Sequence, residues 1–443
     1  MRGFEDQTGT PQSPASDAAG DSDDPQPLAT GGSGADRLVS LDFIRGIAVM
    51  GILFPNIVGF GHPFIAYFWP MAMVHPPSET DKAFWLFQYL AIDGKFRGMF
   101  TLMFGASMML FMERAWARGA DRRLQLRRLM WLLPFGAAHY FLLWRGDILT
   151  LYAVWGFAAA AFLRWPARRQ LLFGLALYVA GSLMMTFGMG RDWYNATHAE
   201  AAATLPADER AELLGAEAKT IREAREETTL YREGSYPDVV HAHVFRYGKE
   251  WYGGLIFGFI ETLPLMLIGM GLYRFGFFAG AIPAARLRRW GWAGLIAGGL
   301  LSLPFGLWAW RGDFAFHDTM FAFNALPHIP RLGMTLGMLA LLAAWAPRAS
   351  AGWLGRRVVA TGRMAFTNYL GTSLLMVVLF HGWGLGRFGT MDRVEMLGVV
   401  VAMWGLMLAW SQPWLARFRF GPLEWLWRCL TYGRLFPLRR AAA

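Results

Sequence analysis

Cysteine and charge are both scarce in this sequence. Cys429 is the single cysteine among 443 residues, which excludes an intramolecular disulfide and a metal site built from cysteines. Charged side chains make up only 17% of the chain, whereas hydrophobic side chains make up 55%. This balance is too apolar for a soluble two-domain protein and is typical of a protein that crosses a membrane several times.

Several familiar catalytic motifs are also missing. The chain has no P-loop, no GxGxxG, no GxSxG, no HExxH and no haem or flavin signature. It shows no internal repeat of the kind found in many secondary transporters. These absences argue against an ATPase, against a soluble-type hydrolase and, more weakly, against a transporter. No metal site is predicted.

The chain consists of a polar start followed by a series of apolar segments. Residues 1–36 are rich in Gly, Pro, Ser and Asp and contain no apolar run, so they are predicted to be a disordered tail. The later segments have the length needed to cross about 30 Å of hydrocarbon. We therefore predict an all-α, polytopic integral membrane bundle of about ten transmembrane helices. The predicted spans cover residues 43–60, 96–112, 129–145, 148–164, 170–189, 251–273, 290–309, 332–346, 364–382 and 396–412.

The predicted spans fall into two halves around one long loop. Residues 37–189 form an N-terminal membrane bundle of five spans, and residues 251–443 form a C-terminal bundle of five spans with a cytoplasmic tail. Residues 190–250 are predicted to be a partly helical extracytoplasmic loop. Within it, residues 207–228 place apolar side chains on one helical face. This helix is expected either to cap the outer mouth of the bundle or to be a solvated connector.

The net charge of +10 comes from short arginine clusters between the apolar segments. Bases collect in every second loop, as the positive-inside rule requires of cytoplasmic loops. The clusters are therefore interpreted as topology signals, and no nucleic-acid partner is predicted. The alternation predicts a multi-pass protein of the bacterial plasma (inner) membrane with both termini in the cytoplasm.

One apolar segment contains ionisable side chains where desolvation makes them costly. His139 lies about ten residues into the third span, in the outer half of the membrane on this topology, and Asp147 follows at the outer lip. A carboxylate within reach sets the tautomer of a buried imidazole, so the two are predicted to form an acid/base pair. A histidine that is merely satisfied by a neighbouring helix is the alternative.

Further polar residues lie on the first span and in the loop after it. Asp42 and Arg45 lie on one face of the first span, at its cytoplasmic end. They are expected either to form a structural ion pair or to contact a phosphate or a cofactor. Asn56 lies in the outer half of the span and is expected to share a pocket with His139. His62 and His75 are expected to be solvated loop histidines.

Two other charged groups lie in or beside later spans. Asp93 and Lys95 belong to a charged knot at the outer start of the second span, which suits an anionic or sugar substrate or, alternatively, interfacial snorkelling. Glu261 falls in the middle of an apolar segment. It is expected to be paired with an arginine or histidine of a neighbouring helix, to be protonated, or to belong to an ion path.

Four stretches of the chain together resemble one family. They are RLVSLDFIRGIAVMGILFPNIVGF (37–60), GKFRGMFTLMFGAS (94–107), HYFLLWRGDILTLYAVWG (139–156), and the C-terminal pair GRMAFTNYL (362–370) and GPLEWLWRCLTYG (421–433). With these strings in this order, the chain resembles the YeiB-like bacterial membrane proteins, a family catalogued as a domain of unknown function. The resemblance covers nearly all of the chain beyond the tail.

The LDFIRGIA motif is also distantly similar to transmembrane acyltransferases, including the heparan-alpha-glucosaminide N-acetyltransferase group. Those proteins accept an acyl group from a coenzyme A thioester on the cytoplasmic side and deliver it to a sugar hydroxyl or amine on the other side. Asn56 matches an asparagine of that group near the outer end of the first span. Their catalytic histidine follows at a spacing that neither His62 nor His75 clearly reproduces, which leaves His139 as the candidate here.

This resemblance and the polar residues together predict a membrane acyltransferase with acyl-coenzyme A as co-substrate and no permanently bound cofactor. The expected partners are the lipid bilayer and a small-molecule, glycan or lipid acceptor, and a homo-oligomer is left open. A proton-coupled transporter or channel, with His139, Asp147 and Glu261 as a relay, is the first alternative; a structural or sensory protein without catalysis is the second. The predicted residues are His139, Asp147 and Asn56 for catalysis, Asp42, Arg45 and Arg363 for the co-substrate, and Asp93, Lys95, Trp144, Asn368 and Tyr369 for substrate binding.

Overall fold

A computed structural model describes residues 39–440, so the tail predicted for residues 1–36 lies outside the described residues. Over the described range the chain is helical, with no β-strand beyond one isolated bridge between Phe418 and Arg439. The all-α prediction is confirmed. The helices are α1 (Val39–Gly61), α2 (Glu79–Ala91), α3 (Lys95–Trp116), α4 (Arg123–Ala138), α5 (Leu149–Ala160), α6 (Ala167–Thr197), α7 (Ala199–Ala203), α8 (Ala207–Glu233), α9 (Tyr236–His241), α10 (Gly248–Arg274), α11 (Ala284–Arg311), α12 (Phe316–Asn324), α13 (His328–Ala349), α14 (Trp353–Arg363), α15 (Ala365–Phe380), α16 (Arg393–Arg417) and α17 (Pro422–Tyr432).

Each predicted span coincides with a helix or a large part of one. By length and apolar composition, five described helices are able to cross a membrane: α1, α6, α11, α13 and α16. The number rises to seven if two bent pairs each count as one span. One pair is α14 with α15, bent by 83°, and the other is the two parts of α10, bent by 46°. The count of ten stays a prediction.

Three of the long helices expose apolar side chains on the outside of the bundle. Only 22% of the most apolar window of α6 is buried, 22% of that of α11 and 28% of that of α16. An apolar surface of this extent is a liability in water, whereas hydrocarbon solvates it without cost. These faces are therefore suited to lipid. Large side chains on them include Leu172, Phe187, Ile296, Leu300 and Val401.

The loops gather at two opposite ends of the bundle. At one end, Lys82 pairs with Asp313 at 2.9 Å, and Arg232 donates to the Phe388 carbonyl oxygen at 2.9 Å. We call this the capped end; it contains residues 62–94, 144–148, 198–247, 312–327 and 381–392. The loops with arginine clusters meet at the opposite, arginine-rich end, where Arg274 contacts Glu113 at 3.0 Å. This is the grouping that the alternation of bases predicts, and the compartment at each end stays a prediction.

The long loop is helical and packs on the capped end. Helix α6 continues beyond the predicted boundary at residue 189 to Thr197, and α8 covers the helix predicted for 207–228. Tyr231 on α8 is buried and stacks on His381 with ring centroids 4.4 Å apart. The C-terminal part of α8 therefore packs on the capped end, whereas its residues 207–223 are exposed or only partly buried.

Helices α3 and α10 approach each other backbone to backbone through reciprocal glycines. A Cβ on Gly105 would overlap the carbonyl oxygen of Met266, and a Cβ on Gly269 would overlap that of Leu102. Small residues permit this close packing in membrane bundles, where van der Waals contact replaces the hydrophobic effect as the driving force between helices. The contact holds α3 and α10 in register, and both helices contribute to the site described below.

We expect Gly105→Ala to lower the free energy of unfolding by about 1–3 kcal/mol, because the added methyl has no room beside the Met266 backbone. Gly405→Ala on α16 is the matched control, since nothing lies within 4 Å of a Cβ there. Thermal unfolding of both variants in detergent measures the difference. Equal stability of the two variants would show that the α3–α10 contact tolerates extra volume.

Candidate functional site

A π-helical turn at the end of α4 places His139. Helix α4 ends at Ala138, and the backbone widens into the π-turn His139–Leu143 before the chain leaves the helix. Such turns often occur at functional sites. The next helix begins at once, because the Asp147 carboxylate accepts hydrogen bonds from the backbone N–H groups of Leu149 at 3.0 Å and Thr150 at 2.8 Å. Asp147 is thereby held rigidly opposite the turn.

His139 is fully buried and bridges two side chains. Its Nδ1 lies 2.9 Å from Asp147 Oδ1, and its Nε2 lies 2.8 Å from Ser373 Oγ on α15. An ionised carboxylate only accepts, so Nδ1 carries the proton toward Asp147. Nε2 is then an acceptor, and it competes with the Tyr369 carbonyl oxygen, 3.3 Å from Ser373 Oγ, for the one hydroxyl proton of Ser373. Serine, histidine and aspartate thus form one hydrogen-bonded line, the order that activates a nucleophile or shares a proton in hydrolytic triads. The predicted pairing of His139 with Asp147 is a contact of the structure.

A large cavity of about 870 Å³ lies beside this line, toward the capped end. Asp147 lines it, and His139 does not. The expectation that Asn56 shares a pocket with His139 needs correction, because Asn56 shares this cavity with Asp147 instead. Among the predicted site residues, those that line the large cavity are Asn56, Asp93, Trp144 and Asp147.

An ion pair from two helices forms part of the wall of the large cavity. Arg97 on α3 donates a short hydrogen bond to Glu261 on α10, and both side chains line the cavity. Of the three expectations for Glu261, pairing with a basic residue of a neighbouring helix is confirmed. The pairing offsets part of the cost of placing two charges within the bundle.

A second, small cavity of about 120 Å³ lies toward the arginine-rich end. Asp42, Arg45 and Arg363, the three residues predicted to hold the co-substrate, all line it. Arg45 contacts Asp42 at 2.9 Å and donates to Ser107 Oγ at 2.7 Å, so the structural ion pair expected for Asp42 and Arg45 is present. Arg128 adds a further guanidinium to the lining.

The two cavities lie at successive levels of the same helices. On α3, Phe96 and Arg97 line the large cavity and Ser107 lines the small one, a rise of about 15 Å at 1.5 Å per residue. The wall between them is thin. Tyr369 lines the small cavity and donates a hydrogen bond of 3.1 Å to the carbonyl oxygen of Gly146, which lines the large one. The ring of His139 packs 5.0 Å from that of Tyr369, so the buried pair lies at this wall.

Two residues predicted to bind substrate are structural. Lys95 is buried, does not line the large cavity, and donates from Nζ to the Tyr89 carbonyl oxygen at 2.6 Å. Asn368 lines neither cavity. Its amide donates to Ser411 Oγ at 3.1 Å and accepts from Trp410 Nε1 at 2.9 Å, which joins α15 to α16. Periodicity alone does not reveal which face of a buried helix points at a cavity.

The expectation that His62 is solvated is wrong, whereas His75 is exposed as expected. His62 is fully buried; its Nδ1 accepts from the Val74 backbone N–H at 3.3 Å, and its Nε2 donates to the Met391 carbonyl oxygen at 2.8 Å. Burial lowers the pKa of His62 to about 4, so it is neutral at physiological pH. The imidazole joins two loops of the capped end and has no free nitrogen for chemistry.

Sequence reasoning missed Ser373 and Arg331. Ser373 follows Tyr369 by one helical turn in an unbroken apolar run, and a serine there usually bonds its own helix backbone. Arg331 stands at the start of the apolar run of α13, where an arginine is usually a topology signal. The only usable signal was a polar residue at the start of a span for Arg331 and a polar residue in the middle of one for Ser373.

The chain is similar to several bacterial proteins over almost its whole length. The protein described as "Uncharacterized protein YeiB" of Escherichia coli (strain K12) is 31% identical over 401 residues, which is 89% of this chain and 96% of that protein. "Uncharacterized protein YxaH" of Bacillus subtilis (strain 168) is 27% identical over 450 residues, which is 91% of this chain and 96% of that protein. Residues 272–434 match the family described as "Protein of unknown function (DUF418)". No solved structure matches the chain.

Proposed function

This chain belongs to the YeiB family, and from the geometry of its site we propose that it is an integral membrane acyltransferase. The observation that carries the proposal is the pair of cavities at successive levels of one bundle, separated by the Tyr369–Gly146 hydrogen bond with His139 and Asp147 beside it. An enzyme that moves an acyl group from one side of a membrane to an acceptor on the other needs this arrangement. The bilayer around it is the bacterial inner membrane, with both termini in the cytoplasm.

The small cavity is the donor side of the proposal. Arg45, Arg128 and Arg363 line it, and the forked guanidinium suits phosphate. Arg128 is held between the rings of Phe111 and Trp427, with its charge 4.8 Å and 4.3 Å from their centroids. A volume of about 120 Å³ admits only the acyl-thioester end of an acyl-coenzyme A. The nucleotide phosphates would stay among the arginines at the cytoplasmic face.

The large cavity is the acceptor side, and Asp147 is the member of the buried pair that faces it. In the proposed step, the acceptor hydroxyl or amine gives its proton to the Asp147–His139 pair as its oxygen or nitrogen attacks the thioester carbonyl carbon. The carbon–sulfur bond breaks, the acyl–acceptor bond forms, and the pair returns the proton to the departing thiolate. Asn56 lines the large cavity and not the small one, so in this scheme it is suited to hold the acceptor.

The donor side is tested with purified protein reconstituted in proteoliposomes, by measuring free coenzyme A thiol released from acetyl-coenzyme A in the presence of acceptor. We expect Arg363→Gln to raise the KM for the donor about 10-fold, with a smaller change in kcat, because the lost contact binds the donor equally well before and during the reaction. Arg356→Gln is the matched control, since this exposed arginine of α14 lines neither cavity. If no thiol is released from any acyl-coenzyme A, the acyltransferase proposal is wrong.

A proton-coupled transporter is the second candidate, favoured by one observation. Glu261 and Arg97 place an ion pair in the wall of the large cavity, where an ion path would need charged groups. Uptake driven by a pH gradient that disappears in Glu261→Gln, without thiol release by the unaltered protein, would favour transport over transfer.

A further inference from the structure

Arg331 is a buried cation without a counter-ion in contact. Its side chain lines the large cavity and is 6% exposed. Nη2 donates to the Phe323 carbonyl oxygen at 3.0 Å, whereas Nε has no hydrogen-bond partner. Across residues 39–440, no carboxylate lies within 4 Å of this guanidinium. A buried charge left in this state is costly unless something else in the cavity completes its bonds.

A second buried polar group, the imidazole of His328, lies one helical turn from Arg331. His328, at the first position of α13, also lines the large cavity and is 7% exposed. Its Nδ1 is buried and has no hydrogen-bond partner within 3.5 Å, although the ring interacts with the Asn324 backbone. Because both residues belong to the first turn of a 22-residue helix, the positive end of the helix dipole adds to the charge of Arg331. The three features converge on one wall of the cavity.

The carboxylates on the other walls of the large cavity indicate which further groups the ligand carries. Glu261 is in contact with Arg97, and it attracts Arg331 across the cavity without touching it, as Asp93 also does. The carboxylate of Asp93 lines the same cavity, where Gln88 Nε2 lies 3.2 Å and 3.5 Å from its two oxygens and the Tyr67 hydroxyl is a further partner. An ionised carboxylate accepts hydrogen bonds from hydroxyl groups. The cavity therefore offers a cationic wall beside acceptors for hydroxyls.

We propose that Arg331 and His328 form an anion subsite, so that the ligand of the large cavity is a polyhydroxylated molecule with one carboxylate or phosphate group. The subsite deepens the proposed function, on which it rests, because it gives the acceptor its chemical class. The anion accepts hydrogen bonds from the Arg331 guanidinium and from His328, while hydroxyl groups donate to Asp93. Such an anion is found both on free sugar acids or sugar phosphates and on the headgroup of a phospholipid.

The local backbone is built to hold the arginine in place. Gly94, in the turn between α2 and α3, has φ +73°, and a Cβ there would overlap Arg331 Cδ. Only glycine allows both this left-handed conformation and this contact without strain. The arginine stem therefore packs against the turn that also carries Asp93.

The test is a binding measurement without acyl donor, on the full chain in nanodiscs of zwitterionic lipid. The probes are D-glucuronate and glycerol 3-phosphate, with D-glucose and glycerol as their neutral counterparts. We expect Arg331→Met to weaken binding of both anionic probes about 10- to 100-fold, the range for loss of a charge-assisted hydrogen bond, and to leave the neutral probes unchanged. Arg331→Lys should restore part of the affinity, and Arg311→Met, at an exposed arginine outside the cavity, should change nothing.

Two further readouts separate the outcomes. Nanodiscs containing phosphatidylglycerol should compete with the anionic probes if the anion is a lipid headgroup, and should not if it is a free molecule. Arg331→Met keeps an apolar stem at this position, and its melting temperature shows whether the variant is folded in each binding measurement. Equal weakening of neutral and anionic probes, or none, overturns the subsite and leaves the acyl transfer intact. If the protein binds anionic probes selectively but releases no thiol, the acyltransferase proposal is wrong and the anion subsite still stands.

Discussion

Replacing His139 by asparagine is expected to lower the rate of acyl transfer by about 10² to 10⁴, the usual contribution of a positioned acid/base group. The asparagine amide still donates to Asp147 from nearly the place of Nδ1, so the start of α5 keeps its geometry. It does not take up a proton, so the pair no longer relays one from acceptor to thiolate. Release of coenzyme A thiol in proteoliposomes measures the loss.

His75→Asn is the matched control, because His75 is exposed in the first loop and lies in neither cavity. Its transfer rate should equal that of the unaltered protein. A merely structural role for His139 would show as a lower melting temperature with the rate per folded molecule unchanged. That result would mean that the hydrogen bonds among serine, histidine and aspartate only join helices. Asp147 would then be the base without help from His139.

Replacing Glu227 by alanine is expected to lower the free energy of unfolding by about 3 kcal/mol, the lower part of the range for breaking a buried ion pair. Glu227 on α8 receives a 2.7 Å hydrogen bond from Arg145, and both side chains are almost fully buried. Arg145 keeps a contact of 2.9 Å to the half-exposed Glu250, which limits the loss. Denaturant unfolding in mixed micelles gives the free energy, and hydrogen exchange along α8 shows whether the capped end opens.

Glu209→Ala serves as the control on the same helix. Glu209 pairs with Arg191 at the surface at 2.5 Å, where an ion pair contributes about 1 kcal/mol or less. The double variant Arg145→Met with Glu227→Leu should recover most of the lost stability, because two apolar groups replace two buried charges. Equal losses for Glu227→Ala and Glu209→Ala would contradict the account of how α8 is held on the bundle.

The acid/base pair illustrates how far sequence reasoning reaches. His139 and Asp147 are only eight residues apart, and a span followed by a tight turn and a helix start brings such residues together with little freedom. The third partner, Ser373, is 234 residues from His139. Its approach depends on how α15 is rotated and bent against α4, which no local pattern encodes.

The sequence by itself determined the class of this protein and the ends at which its loops lie. Long apolar runs in hydrocarbon have to be helical, because the backbone has no water to bond and must satisfy its polar groups internally. Arginine clusters in every second loop indicate that successive loops lie at opposite ends of the bundle. The sequence also indicated that Glu261 must be paired, protonated or part of an ion path, and the structure decided for the pair with Arg97. Both conclusions rest on the cost of desolvating polar groups, which is a property of composition along the chain.

Only the tertiary structure decided which polar groups face a cavity. Lys95 and Asn368 point into the packed interior and bond other helices or loops. Asn56 and Asp147 line the same cavity, and Arg331 Nε has no hydrogen-bond partner. In a bundle that is apolar on nearly every face, hydropathy does not specify the rotation of a helix about its axis. That rotation is set by close contacts such as the reciprocal glycines of α3 and α10, and these exist only once the helices have met.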